Sequence, residues 1–306
     1  MKAGELLLEI RGDTSSGASD IMKRGVEAFK AFSEASDAKD PREYFKSMVC
    51  FGRELIGAQP SMAPLFNAVN IILFKLEVGI NRGDKIIQMK RAVDSAASEI
   101  QSTSKSALDR IKKEAGKLIE NRHTILTHSY SATVIDSLVF AHQKGSLFGV
   151  IATESRPLFE GRRTAQLLSE AGIEVTLIAD MAAFYLLDDV DIILTGCDCV
   201  CENGVVNKVG TKGLAIAAAQ FNVPFYVLCE RNKFLSSRYL KEPKIEEKDP
   251  REILEIPSVI AVKNMYFDIT PHRFITDMIT EDGIVSCDEI HSLLAQIPLS
   301  RALIEQ

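Results

Sequence analysis

From residue 124 onward, short β-branched apolar runs alternate with stretches of helical spacing, and this feature limits the possible folds most. The runs span 124–127, 147–153, 174–178, 191–195, 224–229 and 259–262. The helical stretches among them span 132–143, 161–171, 181–187 and 213–222. Parallel strands need long crossover connections, usually helices. The alternation therefore predicts an α/β domain, a Rossmann-like and mostly parallel sheet with helices on both faces.

The residues before Arg122 follow a different period. Stretches 19–35, 41–56, 62–80 and 84–120 carry apolar side chains three and four residues apart, as amphipathic helices do. Start signals support two of them: Asp20 lies in a first turn, and Asp40-Pro41 places a cap before a proline at the first helical position. Two domains are expected, a helical one over 1–122 and the α/β one over 123–306. Residues 235–255, with their run of Lys, Glu and Pro, read as an exposed excursion between two strands.

Composition excludes several classes. The first 122 residues hold 20 Lys and Arg against 17 Asp and Glu; the remainder holds 16 against 25, for a net charge of −6. An acidic α/β half argues against direct nucleic-acid binding, which depends on neutralising phosphates. No apolar run approaches the roughly 18 residues a membrane span needs, and the N-terminal stretch has no signal-peptide core. A cytoplasmic protein is expected. Cys197, Cys199 and Cys201 lack the two-residue spacing and the second pair of a structural zinc site, so no metal is expected.

In open α/β sheets, ligands bind beyond the carboxyl ends of the strands. Here that rim carries His128-Ser129-Tyr130-Ser131, Glu154-Ser155-Arg156, Gly196-Cys197-Asp198, Asn207-Lys208 and Glu230-Arg231-Asn232-Lys233. Cations, hydroxyls and a carboxylate together suit an anionic polyol such as a sugar phosphate. Gly210-Thr211-Lys212-Gly213 opens a helix whose free N–H groups would either receive a phosphate or simply be capped. Neither the GxGxxG nor the GxxxxGK[ST] pattern of nucleotide-binding loops is present, and no cofactor is expected. His128 beside Ser129 reads as a hydrogen-bonded structural histidine, since adjacent residues rarely form a nucleophile–base pair.

Thr127-His128-Ser129-Tyr130-Ser131, Glu154-Ser155-Arg156-Pro157, Glu160-Gly161, the string Glu202-Asn203-Gly204-Val205-Val206-Asn207-Lys208-Val209-Gly210-Thr211 and the closing Tyr266-Phe267-Asp268-Ile269-Thr270-Pro271 resemble the superfamily of translation initiation factor 2B regulatory subunits. That superfamily also holds ribose-1,5-bisphosphate isomerase and methylthioribose-1-phosphate isomerase. The resemblance covers the α/β domain and implies a helical N-terminal domain and pairing as a homodimer through the α/β domains. For the isomerases it implies an acid–base pair of a Cys, where this chain has Ser129, and an Asp, matched by Asp198. A serine hydroxyl without an adjacent base is a far weaker acid than a thiol, whose reference pKa is about 8.5.

Two arginine anchors implied by the resemblance are also replaced. Ser16-Gly17-Ala18-Ser19 stands where the bisphosphate isomerase has Arg-Gly-Ala-Gly, and Gln59-Pro60-Ser61 stands for an Arg-Pro-Thr. Ser16, Gly17, Gln59, Ser131, Glu154, Arg156, Asn207, Lys208 and Lys233 remain as candidate ligand-binding residues. Thr127-His128-Ser129-Tyr130-Ser131 and Glu202-Asn203-Gly204 look more like the factor 2B alpha subunit, a member without isomerase chemistry, whereas Asp198 matches the enzymes better. The leading expectation is therefore a non-catalytic alpha-subunit-like protein. It would bind a phosphorylated sugar or a nucleotide and associate with itself, with initiation factor 2 or with other factor 2B-like subunits. The alternative is a sugar-phosphate aldose–ketose isomerase using Asp198 and Ser129.

Overall fold

The computed structural model describes residues 2–14, 16–239, 243, 245–255 and 260–304. Five helices come first: α1 Lys2–Gly12, α2 Ala18–Ala35, α3 Pro41–Ala58, α4 Ala63–Arg82 and α5 Ile86–Gly116. The Asp40 carboxylate accepts from the amides of Arg42 and Glu43, with Pro41 at the first position of α3. α4 ends at Gly83 in the left-handed conformation, whose amide donates back to the carbonyls of Gly79 and Ile80. α1 received no element in the sequence reading. Its apolar Ala3, Leu7 and Ile10 recur at helical spacing and are buried.

The chain continues as β1 Thr124–Thr127, α6 Ala132–Gln143, β2 Gly149–Thr153, α7 Glu160–Glu170, β3 Glu174–Ile178 and β4 Ile192–Thr195. After these come β5 Cys199–Cys201, β6 Gly204–Lys208, α8 Thr211–Phe221 and β7 Phe225–Leu228. β8 Phe267–Thr270, β9 Asp277–Thr280, β10 Gly283–Ser286, α9 Ile290–Gln296 and α10 Arg301–Ile304 complete the described elements. The main sheet has seven strands in the order β10-β9-β7-β4-β1-β2-β3, all parallel except β10 against β9. A separate antiparallel sheet runs β5-β6-β8. The expected helical N-terminal region and mostly parallel α/β architecture are both present.

Three expectations are corrected. Residues 260–262 form no strand, and Val259 lies outside the described residues. Stretch 181–187 forms tight 3-10 turns, Asp180–Tyr185 and Leu187–Asp189, in place of an α-helix. The stretch after 235 does not begin exposed: Phe234, Leu235 and Ser236 are buried. The Asn67 side chain donates to the carbonyls of Asn232 at 2.6 Å and Phe234 at 2.8 Å, which pins that segment to α4.

Two compact units divide the chain differently from the helical and α/β stretches. One comprises residues 1–106, 232–243 and 291–306; its buried centre includes Ile21, Phe29, Tyr44, Leu55 and Leu73. α4 is long and apolar enough to cross a membrane by composition, but its buried positions make it the central helix of this unit. The other unit comprises residues 107–231 and 244–290. Its core packs Ile111, Ile125, Leu138, Val150, Leu168, Leu194, Leu228 and Ile279 around the parallel sheet. The boundary falls inside α5, because the last turns of that helix pack on the sheet through Ile111 and Ala115.

Gly161 lets the start of α7 press against the end of β2, since a Cβ there would overlap the Thr153 carbonyl oxygen. Backbone cannot give way as a flexible side chain does. Gly161→Ala is expected to lower stability by about 3 kcal/mol, read as a fall in the urea midpoint; an unchanged midpoint would mean that α7 and β2 can separate freely.

Candidate functional site

Strand order reverses between β1 and β4, which lie side by side, and the carboxyl ends of strands at such a switch point are where open α/β sheets bind ligands. His128, Ser129 and Ser131 follow β1; Gly196, Cys197 and Asp198 follow β4. These groups therefore belong to the place where open α/β sheets bind ligands. Asp198 is half-buried, and its amide donates to the Val206 carbonyl at 2.9 Å, which ties its turn to β6.

Ser129 has φ of 72°, uncommon for a non-glycine residue. Three hydrogen bonds hold it there. Its amide donates to Ser155 Oγ at 2.8 Å, its carbonyl accepts from Thr164 Oγ1 at 2.9 Å, and its hydroxyl donates to Glu160 Oε1 at 3.1 Å. Ser155 and Phe159 also have positive φ, at 65° and 59°. The Asp180 carboxylate braces that turn, accepting from the amides of Ser155 at 2.6 Å and Arg156 at 2.7 Å. Backbone held this far from the common wells is a frequent feature of functional sites.

Glu160 starts α7, and its Oε1 also pairs with Lys208 Nζ at 2.5 Å. The Lys208 side chain is 6% exposed, and its ammonium lies 4.9 Å from the Tyr266 ring centre, in reach of a cation–π contact. Glu160 Oε2 is buried and meets no donor among the described residues. The serine hydroxyl, far from lacking an adjacent base, has a carboxylate at hydrogen-bond distance.

His128 is fully engaged. Nε2 donates to the Val209 carbonyl at 3.0 Å, which leaves Nδ1 to accept from Thr153 Oγ1 at 2.6 Å. Burial disfavours the imidazolium and lowers its pKa, so the ring is a neutral structural strut. Gly210 makes room for it: φ is 106°, and a Cβ would stand 3.2 Å from Nε2.

The remaining candidates are distributed as follows. Ser131 caps α6, accepting from the Val134 amide. Glu154 pairs with Arg162 at 2.8 Å. Arg156 is exposed, with its guanidinium 4.9 Å from the Phe159 ring centre. Asn207 donates to Thr211 Oγ1 at 3.1 Å. In the helical unit, the Ser16 amide donates to Asp13, Gly17 caps α2, and the Gln59 side chain donates to the carbonyls of Ile10 and Asp13 at 2.8 Å each. Lys233 is buried in the 3-10 turn Arg231–Lys233 and belongs to that same unit.

The start of α8 is capped by the protein itself. The Asp268 carboxylate accepts from the amides of Gly210 at 2.8 Å and Lys212 at 3.2 Å, occupying the donors that a phosphate would need. Cys197, Cys199 and Cys201 are buried and not disulfide-bonded. A hydrogen bond with Cys201, together with burial, raises the Cys199 thiol well above its ordinary range, which suits packing rather than thiolate chemistry.

The model of the initiation factor 2 subunit family matches residues 14–287. The chain belongs to that family. It is similar to a ribose 1,5-bisphosphate isomerase of Archaeoglobus fulgidus, 35% identical over 90% of this chain and 87% of that protein. It is equally similar, at 35% over 93% and 96%, to a putative translation initiation factor eIF-2B subunit 2-like protein of Pyrococcus furiosus. A solved structure, the translation initiation factor eIF-2B of Pyrococcus horikoshii OT3, superposes with a TM-score of 0.79 at 30% identity, covering 93% of this chain and 96% of that one.

The sequence singled out Ser129, Asp198 and Lys208 as candidates; Glu160 and Asp268 stood in the resemblance motifs without a site role, and Asp180 was not singled out. The available signal for Glu160 was its place one residue before Gly161, at the start of a helix following a rim segment.

Burial raises the Asp268 carboxyl to about 6 despite the two amides it accepts from. The folded state thus holds this proton more tightly than the unfolded chain. The resulting stability is present in full at acid pH and is lost as pH rises from about 4 through 6. Relative to Asp268→Asn, the wild type is expected to lose on the order of 2 kcal/mol between pH 4 and pH 7, measured by paired denaturant titrations. A difference that stays flat with pH would exclude this assignment.

Proposed function

We propose that this family member is a sugar-phosphate isomerase that interconverts an aldose 1-phosphate and the corresponding ketose, with ribose 1,5-bisphosphate as the first substrate to test. The observation that supports this most is the pairing at the strand-end crevice: Asp198 follows β4, and a serine hydroxyl bonded to a carboxylate follows β1. Similarity to proteins named ribose 1,5-bisphosphate isomerase over nine-tenths of the chain supports it further. Of the grounds for the non-catalytic expectation, Glu160 answers one, the Ser129 hydroxyl without a base; the replaced arginine anchors at Ser16–Ser19 and Gln59–Ser61 and the likeness to the alpha subunit still favour it.

In this reading the hydrogen on the carbon next to the anomeric centre leaves as a proton and returns to the anomeric carbon, with Asp198 as the group that moves it. The Ser129 hydroxyl serves the sugar oxygens. Glu154, Arg156, Ser131, Asn207 and Lys208 would shape the site around the ligand, Lys208 through its pairing with Glu160. Roles for Ser16, Gly17 and Gln59 rest on the family resemblance alone, and that of Lys233 on its place just after β7. Association of two copies through the α/β domains belongs to the same proposal.

A second reading keeps the pocket without turnover, as an eIF-2B-like binding subunit whose partners are initiation factor 2 or related subunits. Ser129 in the position of the isomerases' cysteine favours it. An NMR assay of the purified protein with ribose 1,5-bisphosphate, with thermal shift on the same samples, separates the two. Conversion is expected, and Asp198→Asn should cut turnover by at least about 100-fold while keeping the ligand-induced shift. Stabilisation without conversion would establish the binding reading.

A further inference from the structure

We propose that Glu160 is the proton acceptor that makes the Ser129 hydroxyl a working acid–base group, so that the Ser129–Glu160 pair does the work of a single thiol. This rests on the isomerase reading. A thiol carries its own exchangeable proton near neutral pH, whereas a serine hydroxyl needs an adjacent base to become active. The hydroxyl already donates to Glu160 Oε1 at 3.1 Å, and the left-handed backbone at Ser129 aims it there. Lys208, buried and 2.5 Å from the same oxygen, holds the carboxylate in place. Oε2 is buried and meets no donor among the described residues, so no second hydrogen bond opposes protonation of the carboxylate.

The proton movements balance. The sugar hydroxyl that becomes the ketose carbonyl gives its proton to Ser129 Oγ as the Ser129 proton passes to Glu160. When the ring bond between the anomeric carbon and the ring oxygen breaks, Glu160 returns a proton through Ser129 to that oxygen. One O–H bond of the sugar is lost and one is formed, and Glu160 ends ionised as it began. The C–H bond broken at one carbon is remade at its neighbour by Asp198, and no oxidant or second reactant is consumed. Glu160 acts through Ser129 and is a positioning and proton-accepting residue; Ser129 is the group that touches the substrate.

Glu160→Gln keeps the shape and an oxygen for Lys208 and Ser129 but cannot take the proton. With ribose 1,5-bisphosphate as substrate, it should lower kcat about 100-fold to 10,000-fold and leave KM within a few-fold. Ser129→Ala should do the same, and the double variant should be no worse than either single one, because the two residues act as a unit. Ser129→Cys placed in the Glu160→Gln background should recover most of the lost kcat, since a thiol needs no partner. A purely structural role for Glu160 would not be rescued in this way. Wild-type turnover with an unimpaired Glu160→Gln, or without rescue by cysteine, overturns the inference while sparing the isomerase reading. A wild type that converts neither ribose 1,5-bisphosphate nor methylthioribose 1-phosphate overturns both.

Discussion

A buried ammonium needs a counter-charge, and much of the site follows from how Lys208 finds one. Lys208 ends β6, in the small antiparallel sheet, while Glu160 opens α7, which packs on the parallel sheet. Their contact ties the two sheets together at the crevice. Removing one partner of a buried pair leaves an uncompensated charge, typically worth about 3–5 kcal/mol. The pairing also presents Glu160 Oε1 to Ser129, so one electrostatic requirement sets the direction of a hydroxyl at the end of β1. Asp180 and Ser155 stabilise the unusual backbone that this arrangement needs.

The parallel sheet decides where this cluster sits. The shared polarity of β1, β2, β4 and β7 sends the turns that follow them to one rim, and strand order reverses between β1 and β4, the kind of point where open α/β sheets take ligands. Two of the amides at the start of α8, those of Gly210 and Lys212, are taken by the Asp268 carboxylate. The neutral His128 supports the turn at Val209 and takes no part in proton movement.

The periodic elements were legible from local pattern. α2 to α5 repeat apolar residues every three or four positions over several turns, and the β1, β2, β3, β4 and β7 runs are β-branched and flanked by turn residues. The three-residue β5 is too short to show any period, and β6 and β8 become strands by pairing across about sixty residues of chain. The Cys197–Cys201 run, which lacks the spacing of a zinc site, is buried and lies partly within the β5–β6 hairpin.

The sequence by itself determined the class of fold and put Ser129 and Asp198 just past the ends of β1 and β4, because hydrophobic period and strand polarity are properties of short stretches of chain. The partnership of Ser129 with Glu160, of Glu160 with Lys208 and of Asp268 with the start of α8 was decided only by tertiary structure. Those partners stand 31, 48 and 58 residues apart, taking Gly210 for the start of α8. Whether a hydroxyl has a base, a lysine is free, or a helix end is open is a question of distance in space, and no local pattern in the chain encodes that distance.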